Sequence, residues 1–325
     1  MRFERINIWE ENEYRYSAAF GFQPNLRTYL HEDADVKPCV LVIPGGGYRM
    51  VVPSEGEIIA KCFNDKGYQA FVGTYTTNFL GLEPLKLQPL KDISRMVRLI
   101  RARADEFHVI PDRIVICGFS AGAHLCGALC VHWQDVLDSL YPSVSNRPDG
   151  AILSYPVITS GEFAHRDSFT ALLGDHPSDE ELAYMSLEKQ VTKDTPPMFL
   201  WQTASDETVP VENSYLMAMA LKQAGVPFEH HVFPKGRHGL SLANEDWANG
   251  RFGEPYVMVQ MMGIAEAAKN GEIEAPQEAM GFLNFFIHPE AVDTTSFPAG
   301  VPVKEVAVWP DLADVWMKEN CFVNQ

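Results

Sequence analysis

The chain has 325 residues, 46% of them hydrophobic, and a formal net charge of −17, which is enough apolar material for one large α/β domain or two small ones. The excess of acid argues against nucleic acid and anionic membrane surfaces as partners, because a polyanion would be approached against repulsion. Met1 to Arg5 lead into a mixed polar stretch without a signal peptide's apolar core, and no segment nears the roughly 20 apolar residues of a membrane span, so a soluble cytoplasmic protein is expected.

Residues up to about Asp35 alternate apolar and polar side chains (Arg27, Thr28, Tyr29, Leu30, His31), which predicts antiparallel edge strands. Apolar runs at 39–43, 69–75, 113–118, 151–157, 198–203 and 228–233 then alternate with helix-period segments, the pattern of a mostly parallel sheet covered by helices on both faces. Between the first two runs, Ser54 and Glu57 have capping-box spacing ahead of Ile58, Ile59, Cys62 and Phe63, and Gly67 supplies a stop. Ile93, Met96, Val97 and Ile100 recur at helical spacing before Pro111. Cys39, Cys62, Cys117, Cys126, Cys130 and Cys321 lack C-x-x-C spacing, so they read as free thiols in a reducing compartment.

Past residue 243 the regularity breaks. The stretch 244–302 is rich in Met, Phe, Gly and Pro, with Val257, Met261, Ile264 and Ala268 on one helical face and Asn270-Gly271 as its stop. Val306, Trp309, Leu312, Val315 and Trp316 mark a last amphipathic helix that should return to the sheet. Residues 1–325 thus read as a single domain with 244–302 inserted before its C-terminal helix. That insertion reads either as a rim or lid, or as a surface elaboration or homodimer contact built on Met261, Met262, Phe282, Phe285 and Phe286.

The chemistry is concentrated at strand ends. Gly118-Phe119-Ser120-Ala121-Gly122 follows a predicted strand and opens a predicted helix, the context a nucleophile elbow requires. Pro44-Gly45-Gly46-Gly47-Tyr48 closes another strand, where amides unobstructed by Cβ atoms could converge on an oxyanion. A phosphate cradle is the competing reading, but no Gly-Lys-Ser or Gly-Lys-Thr follows. Asp206 leaves the end of the 198–203 strand and is the candidate acid, with Glu207 as its competitor. His238, between Gly236 and Gly239, is the candidate base, in preference to His230 and His231 inside a predicted strand.

The order Ser120, Asp206, His238 is that of the α/β-hydrolase fold. His124, one helical turn past Ser120, could floor the pocket or satisfy a buried hydrogen bond, and the second reading is preferred. Tyr48 and Phe119 join His124 as candidate substrate-binding side chains. His31, His108, His132, His165, His176 and His288 lack ligand spacing, so no metal and no cofactor are expected.

Together PGGGY, GFSAGAHL, TASDETVP and GRHGLSLA resemble the bacterial esterase/lipase group of α/β-hydrolases that includes acetyl-xylan esterases and bifunctional feruloyl esterases. The likeness covers residues 36–243 and the final helix. It implies hydrolysis of small acyl esters on carbohydrate, with Gly46, Gly47 and Ala121 as oxyanion donors. Hormone-sensitive-lipase relatives carry His at the place of Pro44, so the chain looks closer to the carbohydrate-esterase branch. The expected partner is a small-molecule or oligosaccharide ester. Two other classes share the scaffold: amidases or peptidases using the same triad, and non-catalytic binding proteins.

Overall fold

Apolar runs flanked on both sides by amphipathic helices can satisfy their backbones only by pairing side by side, and they do so here. The computed structural model describes residues 1–254, 256–287 and 300–322; His288, part of the 244–302 stretch and the side chain of Phe285 lie outside the described residues. Eight strands form one sheet: β1 (Arg5–Asn7), β2 (Asn25–Tyr29), β3 (Lys37–Ile43), β4 (Gln69–Thr74), β5 (Val109–Phe119), β6 (Gly150–Ser154), β7 (Met198–Thr203) and β8 (Phe228–Phe233). Their order is β1-β2-β4-β3-β5-β6-β7-β8. The β1/β2 and β2/β4 pairs are antiparallel, as the alternating N-terminal pattern predicts, and all others are parallel.

The helices are α1 (Glu57–Asp65), α2 (Gln88–Ala102), α3 (Ala104–Phe107), α4 (Ala121–His132), α5 (Arg166–Leu173), α6 (Asp179–Tyr184), α7 (Glu212–Ala224), α8 (Glu245–Ala248), α9 (Val259–Lys269), α10 (Gln277–Ile287) and α11 (Trp309–Asn320). Helix α2 packs on α4 over β5, while α1 meets α11 through Phe63 and Trp309, 6.0 Å apart, so a helical layer covers each face. Burial on both sides explains why β3, β4 and β7 are nearly unbroken apolar runs. Helix α11 does return to the sheet, with Trp309 stacked on Trp201 at 5.4 Å and Trp316 packed on Phe199 at 5.8 Å. No helix among the described residues is long and apolar enough to cross a membrane, and the six cysteines are free.

Two local expectations are corrected. The Ser54/Glu57 capping box does not form: Pro53–Glu55 make a 3-10 turn, Gly56 precedes α1 without a side-chain cap, and Glu57 accepts from the Tyr29 hydroxyl at 3.0 Å and Lys61 Nζ at 2.6 Å. Strand β6 stops at Ser154, three residues short of its apolar run. Tyr155 turns out of the sheet with φ of 37°, and Pro156 has no N–H to continue the ladder.

Candidate active site

Parallel strands deliver their following loops to one edge, and the loops after β3, β5, β7 and β8 carry the motifs. Ser120 sits between β5 and α4 with φ 52° and ψ −119°, a strained conformation for a residue with a side chain. Its neighbours explain how the turn closes. A Cβ on Gly122 would lie 2.2 Å from the carbonyl oxygen of Ile43, and one on Gly118 would lie 2.4 Å from that of Gly122. Only glycine lets helix, strand and adjacent strand end approach so closely.

The glycine loop presses on this turn from the β3 side. A Cβ on Gly45 would lie 2.5 Å from the Phe119 carbonyl oxygen and 2.9 Å from Ser120 Cβ. Gly46 and Gly47 have φ of 125° and 64°, and the Gly46 carbonyl accepts from Arg49 and Met50, curling the loop back on itself. Among the described residues, the amides of Gly46 and Gly47 donate to no protein acceptor, and neither does that of Ala121, the first residue of α4. These unspent donors flank the serine at a helix N-terminus, where partial positive charge favours a developing anion.

His238 Nε2 lies 2.8 Å from Ser120 Oγ, and His238 Nδ1 lies 2.7 Å from Asp206 Oδ2. The second carboxylate oxygen, Asp206 Oδ1, accepts from the amides of Thr208 and Val209, each at 2.9 Å, which locks the carboxylate plane. With Asp206 accepting the Nδ1 proton, Nε2 is left to accept from the serine hydroxyl. Gly236 ties the two loops together: its carbonyl accepts from Thr203 Oγ1 at 2.8 Å, and its amide donates to Ser205 Oγ at 3.0 Å. The structure thus brings Ser120, His238 and Asp206 together. Glu207 is exposed and does not reach the ring. His230 meets Ser214 Oγ at 3.1 Å and His231 pairs with Glu229 at 2.5 Å, both along β8 and away from the serine.

The three side chains expected to touch substrate are placed differently. Tyr48, Phe119 and His124 are all buried. His124 Nε2 donates to the Met185 carbonyl at 2.9 Å, and Nδ1 accepts from the Tyr48 hydroxyl at 2.8 Å, so both ring nitrogens have partners inside the protein. Burial pushes the His124 pKa down to about 4. Phe119 packs against Tyr155 and Trp309 inside the core. All three support the site from beneath.

Sequence reasoning missed several neighbours. Asp167 Oδ1 accepts from Arg49 Nη2 at 2.8 Å, and a Cβ on Gly47 would lie 3.8 Å from Asp167 Oδ2, so this ion pair borders the glycine loop. His165 contacts Ser168 Oγ at 2.8 Å; burial lowers its pKa, and the nearby His238 adds to the effect. Glu55 is buried against Gly45 and Tyr155. The Pro after Tyr155 marks that strand's end, but nothing in sequence links it to Glu55.

A parallel sheet that presents a serine on a strained strand-to-helix turn, followed in chain order by an acid and a histidine on later strand ends, defines the α/β-hydrolase class. Within that class the model of the BD-FAE family matches residues 26–221, and the chain belongs to this family. The matched span holds Ser120 and Asp206; His238 lies beyond it. Endo-1,4-beta-xylanase B of Butyrivibrio fibrisolvens is 54% identical over 260 residues, covering 79% of this chain and 41% of that protein. An acetylxylan esterase of Xylanibacter ruminicola is 29% identical over 209 residues, covering 62% of this chain and 41% of that protein. The chain therefore spans about two fifths of the length of these curated relatives. The crystal structure of an acetyl ester-xyloside bifunctional hydrolase from Caldicellulosiruptor lactoaceticus superposes with a TM-score of 0.69 at 37% identity, covering 83% of this chain and 97% of the other.

Proposed function

We propose that the chain is a serine carboxylesterase that removes small acyl groups, foremost acetyl and also feruloyl, from xylan-type polysaccharide or its oligosaccharides. The observation that carries the reading is the imidazole of His238 within hydrogen-bond reach of both Ser120 and Asp206 at the carboxyl edge of the sheet. In this mechanism His238 Nε2 takes the Ser120 proton as Oγ attacks the ester carbonyl. The tetrahedral oxyanion is held by the amides of Gly46, Gly47 and Ala121, and the imidazolium returns the proton to the leaving sugar oxygen. Water, activated by the same imidazole, then releases the acid from the acyl-enzyme.

The substrate class rests on likeness to the acetylxylan esterase and the bifunctional hydrolase. The glycosidic chemistry in the xylanase relative's name is not carried over, because glycoside hydrolysis relies on two carboxylates flanking the bond rather than an activated hydroxyl. Residues 1–325 are read as one catalytic domain, since α11, which follows the 244–302 stretch, packs back onto β7, and that stretch is read as a rim, a lid or an oligomer contact. The test is a side-by-side assay of acetylated xylo-oligosaccharide, methyl ferulate, an N-formyl amide and an aminoacyl peptide with wild type and Ser120→Ala. Release of acetate that vanishes in the variant supports the reading. Turnover confined to the amide or peptide replaces it.

A further inference from the structure

Beneath the site, a second carboxylate is buried as deeply as Asp206. Glu55 is 3% exposed and uses both oxygens: Oε2 accepts the Gly45 amide at 2.7 Å, and Oε1 accepts the Tyr155 hydroxyl at 2.6 Å. The Tyr155 hydroxyl in turn accepts the Ser241 amide at 3.1 Å, and its ring lies 4.9 Å from the ring of His238 at 69°. Ser241 Oγ donates to the Ser54 carbonyl at 2.5 Å, and the Ser241 carbonyl accepts from Trp309 Nε1 at 2.8 Å. One chain of hydrogen bonds thus runs from the glycine loop, through Glu55 and Tyr155, to the loop that follows His238.

Resting on the serine-hydrolase reading above, we propose that Glu55, acting through Tyr155, is a positioning residue that keeps the oxyanion donors and the general base in register. Three observations support it. A buried carboxylate is costly to keep when its only role is to fill space, because an apolar side chain of the same volume does that better. Glu55 takes up the amide of Gly45, the residue pressed against Ser120, and so fixes where the next two amides point. The far end of the chain is strained as well: Tyr155 and Ser241 hold φ of 37° and 51°, conformations that persist only where the surroundings over-determine them. The Glu55 carboxyl is raised above its ordinary pKa, because burial outweighs the bonds from Tyr155 and Gly45 and the field of His238 that act in the opposite direction.

The test uses the full chain, p-nitrophenyl acetate kinetics and the rate at which an aryl phosphonate labels Ser120, all well below the melting temperature. Glu55→Gln keeps the shape and exchanges one acceptor oxygen for an N–H donor. It should lower kcat and the labelling rate together by about 10–100-fold with KM within about twofold, less than the two to three orders typical for loss of a whole oxyanion donor. Tyr155→Phe should cost about tenfold. Because both residues lie in one chain, the double variant should be no slower than Glu55→Gln alone. A Glu55→Gln protein with wild-type kcat, or losses that multiply in the double variant, overturns the inference. If Glu55→Gln does not fold, Tyr155→Phe, which removes a single hydroxyl, decides by the same split between kcat and KM. Wild type that the phosphonate fails to label, together with an active Ser120→Ala, would instead sink the hydrolase reading itself.

Discussion

The strand-end loops carrying Ser120, Asp206 and His238 and the helix pair α9 and α10 belong to the same chain, yet they are fixed by different means. At the strand ends the backbone itself is constrained: Ser120 has positive φ, and Gly45, Gly118 and Gly122 sit where a Cβ would collide with main chain. The helix pair is held by side chains and by one close main-chain approach, since a Cβ on Gly263 of α9 would lie 2.9 Å from the Phe20 carbonyl oxygen. Gln260 binds Thr77, Phe282 packs on Phe79 at 5.4 Å, and Val257 lies 3.7 Å from where a Gly56 Cβ would be. The difference teaches where chemistry and selectivity can reside. Bond-making geometry tolerates little movement and sits on over-determined backbone, whereas α9 and α10, if they form the rim proposed above, could be retuned without disturbing the reaction.

The comparison is tested most severely at its rigid end. Ser120→Ala or His238→Ala should cut kcat on p-nitrophenyl acetate by about four orders of magnitude or more. Residual activity within tenfold of wild type would break the comparison outright. Gly46→Ala comes next. Its Cβ would lie 2.2 Å from the Met50 carbonyl oxygen at a φ of 125°, so the loop must shift and the donors with it. A loss of about two to three orders in kcat is expected, with KM far less affected.

A third prediction concerns the support under the rigid edge. His124 has its pKa pushed down to about 4 from an ordinary 6.5. The folded state therefore binds its proton less readily than the unfolded chain, so its neutral form carries full stability above pH 6.5. That stability falls as pH drops from about 6.5 to 4 and levels off below. The total should be about 3 kcal/mol, from about 1.4 kcal/mol per pH unit. Urea midpoints measured across this window should show the loss in wild type and a flatter profile in His124→Gln. Equal slopes would remove His124 as the cause.

How far the residues alone reveal this arrangement depends on distance along the chain. Strands β3 and β7 can be read directly because Cys39–Ile43 and Met198–Trp201 are uninterrupted apolar runs, and the Ser120 turn is legible because its glycines, strand and helix are neighbours in sequence. The same adjacency misleads for Tyr48 and Phe119. Being next to a motif does not mean facing substrate, and in extended or tightly turned backbone consecutive side chains point in different directions. Ser54 and Glu57 have the spacing of a cap, but that pattern omits the demands of Tyr29 and Lys61 on the glutamate. The Glu55 chain was illegible for a simpler reason. Its links span 100, 86 and 68 residues, and no local periodicity connects positions so far apart.

The smallest expected effect sharpens the comparison most. Gln260 pairs with Thr77 as a neighbouring strand would: Nε2 donates to the Thr77 carbonyl at 2.9 Å, while Oε1 accepts from Thr77 Oγ1 at 2.7 Å and from the Thr77 amide at 3.3 Å. Thr77 lies in the loop after β4. That loop also holds the glycine loop, through the Tyr75 hydroxyl on the Pro44 carbonyl at 2.8 Å and the Asn78 amide on the Tyr48 carbonyl at 2.8 Å. Gln260→Ala strips partners from buried polar atoms, at a cost of about 1–3 kcal/mol. Because the loop keeps its own bonds to the glycine loop, the cost should appear as local opening of α9 rather than as lost chemistry. kcat/KM on p-nitrophenyl acetate should then stay within about twofold, while the ratio for acetylated xylo-oligosaccharide over the small ester shifts by about three- to tenfold and amide exchange in α9 quickens. If both esters slow by the same factor, the helix pair and the catalytic edge are one mechanical unit, and the division between rigid chemistry and adjustable selectivity fails.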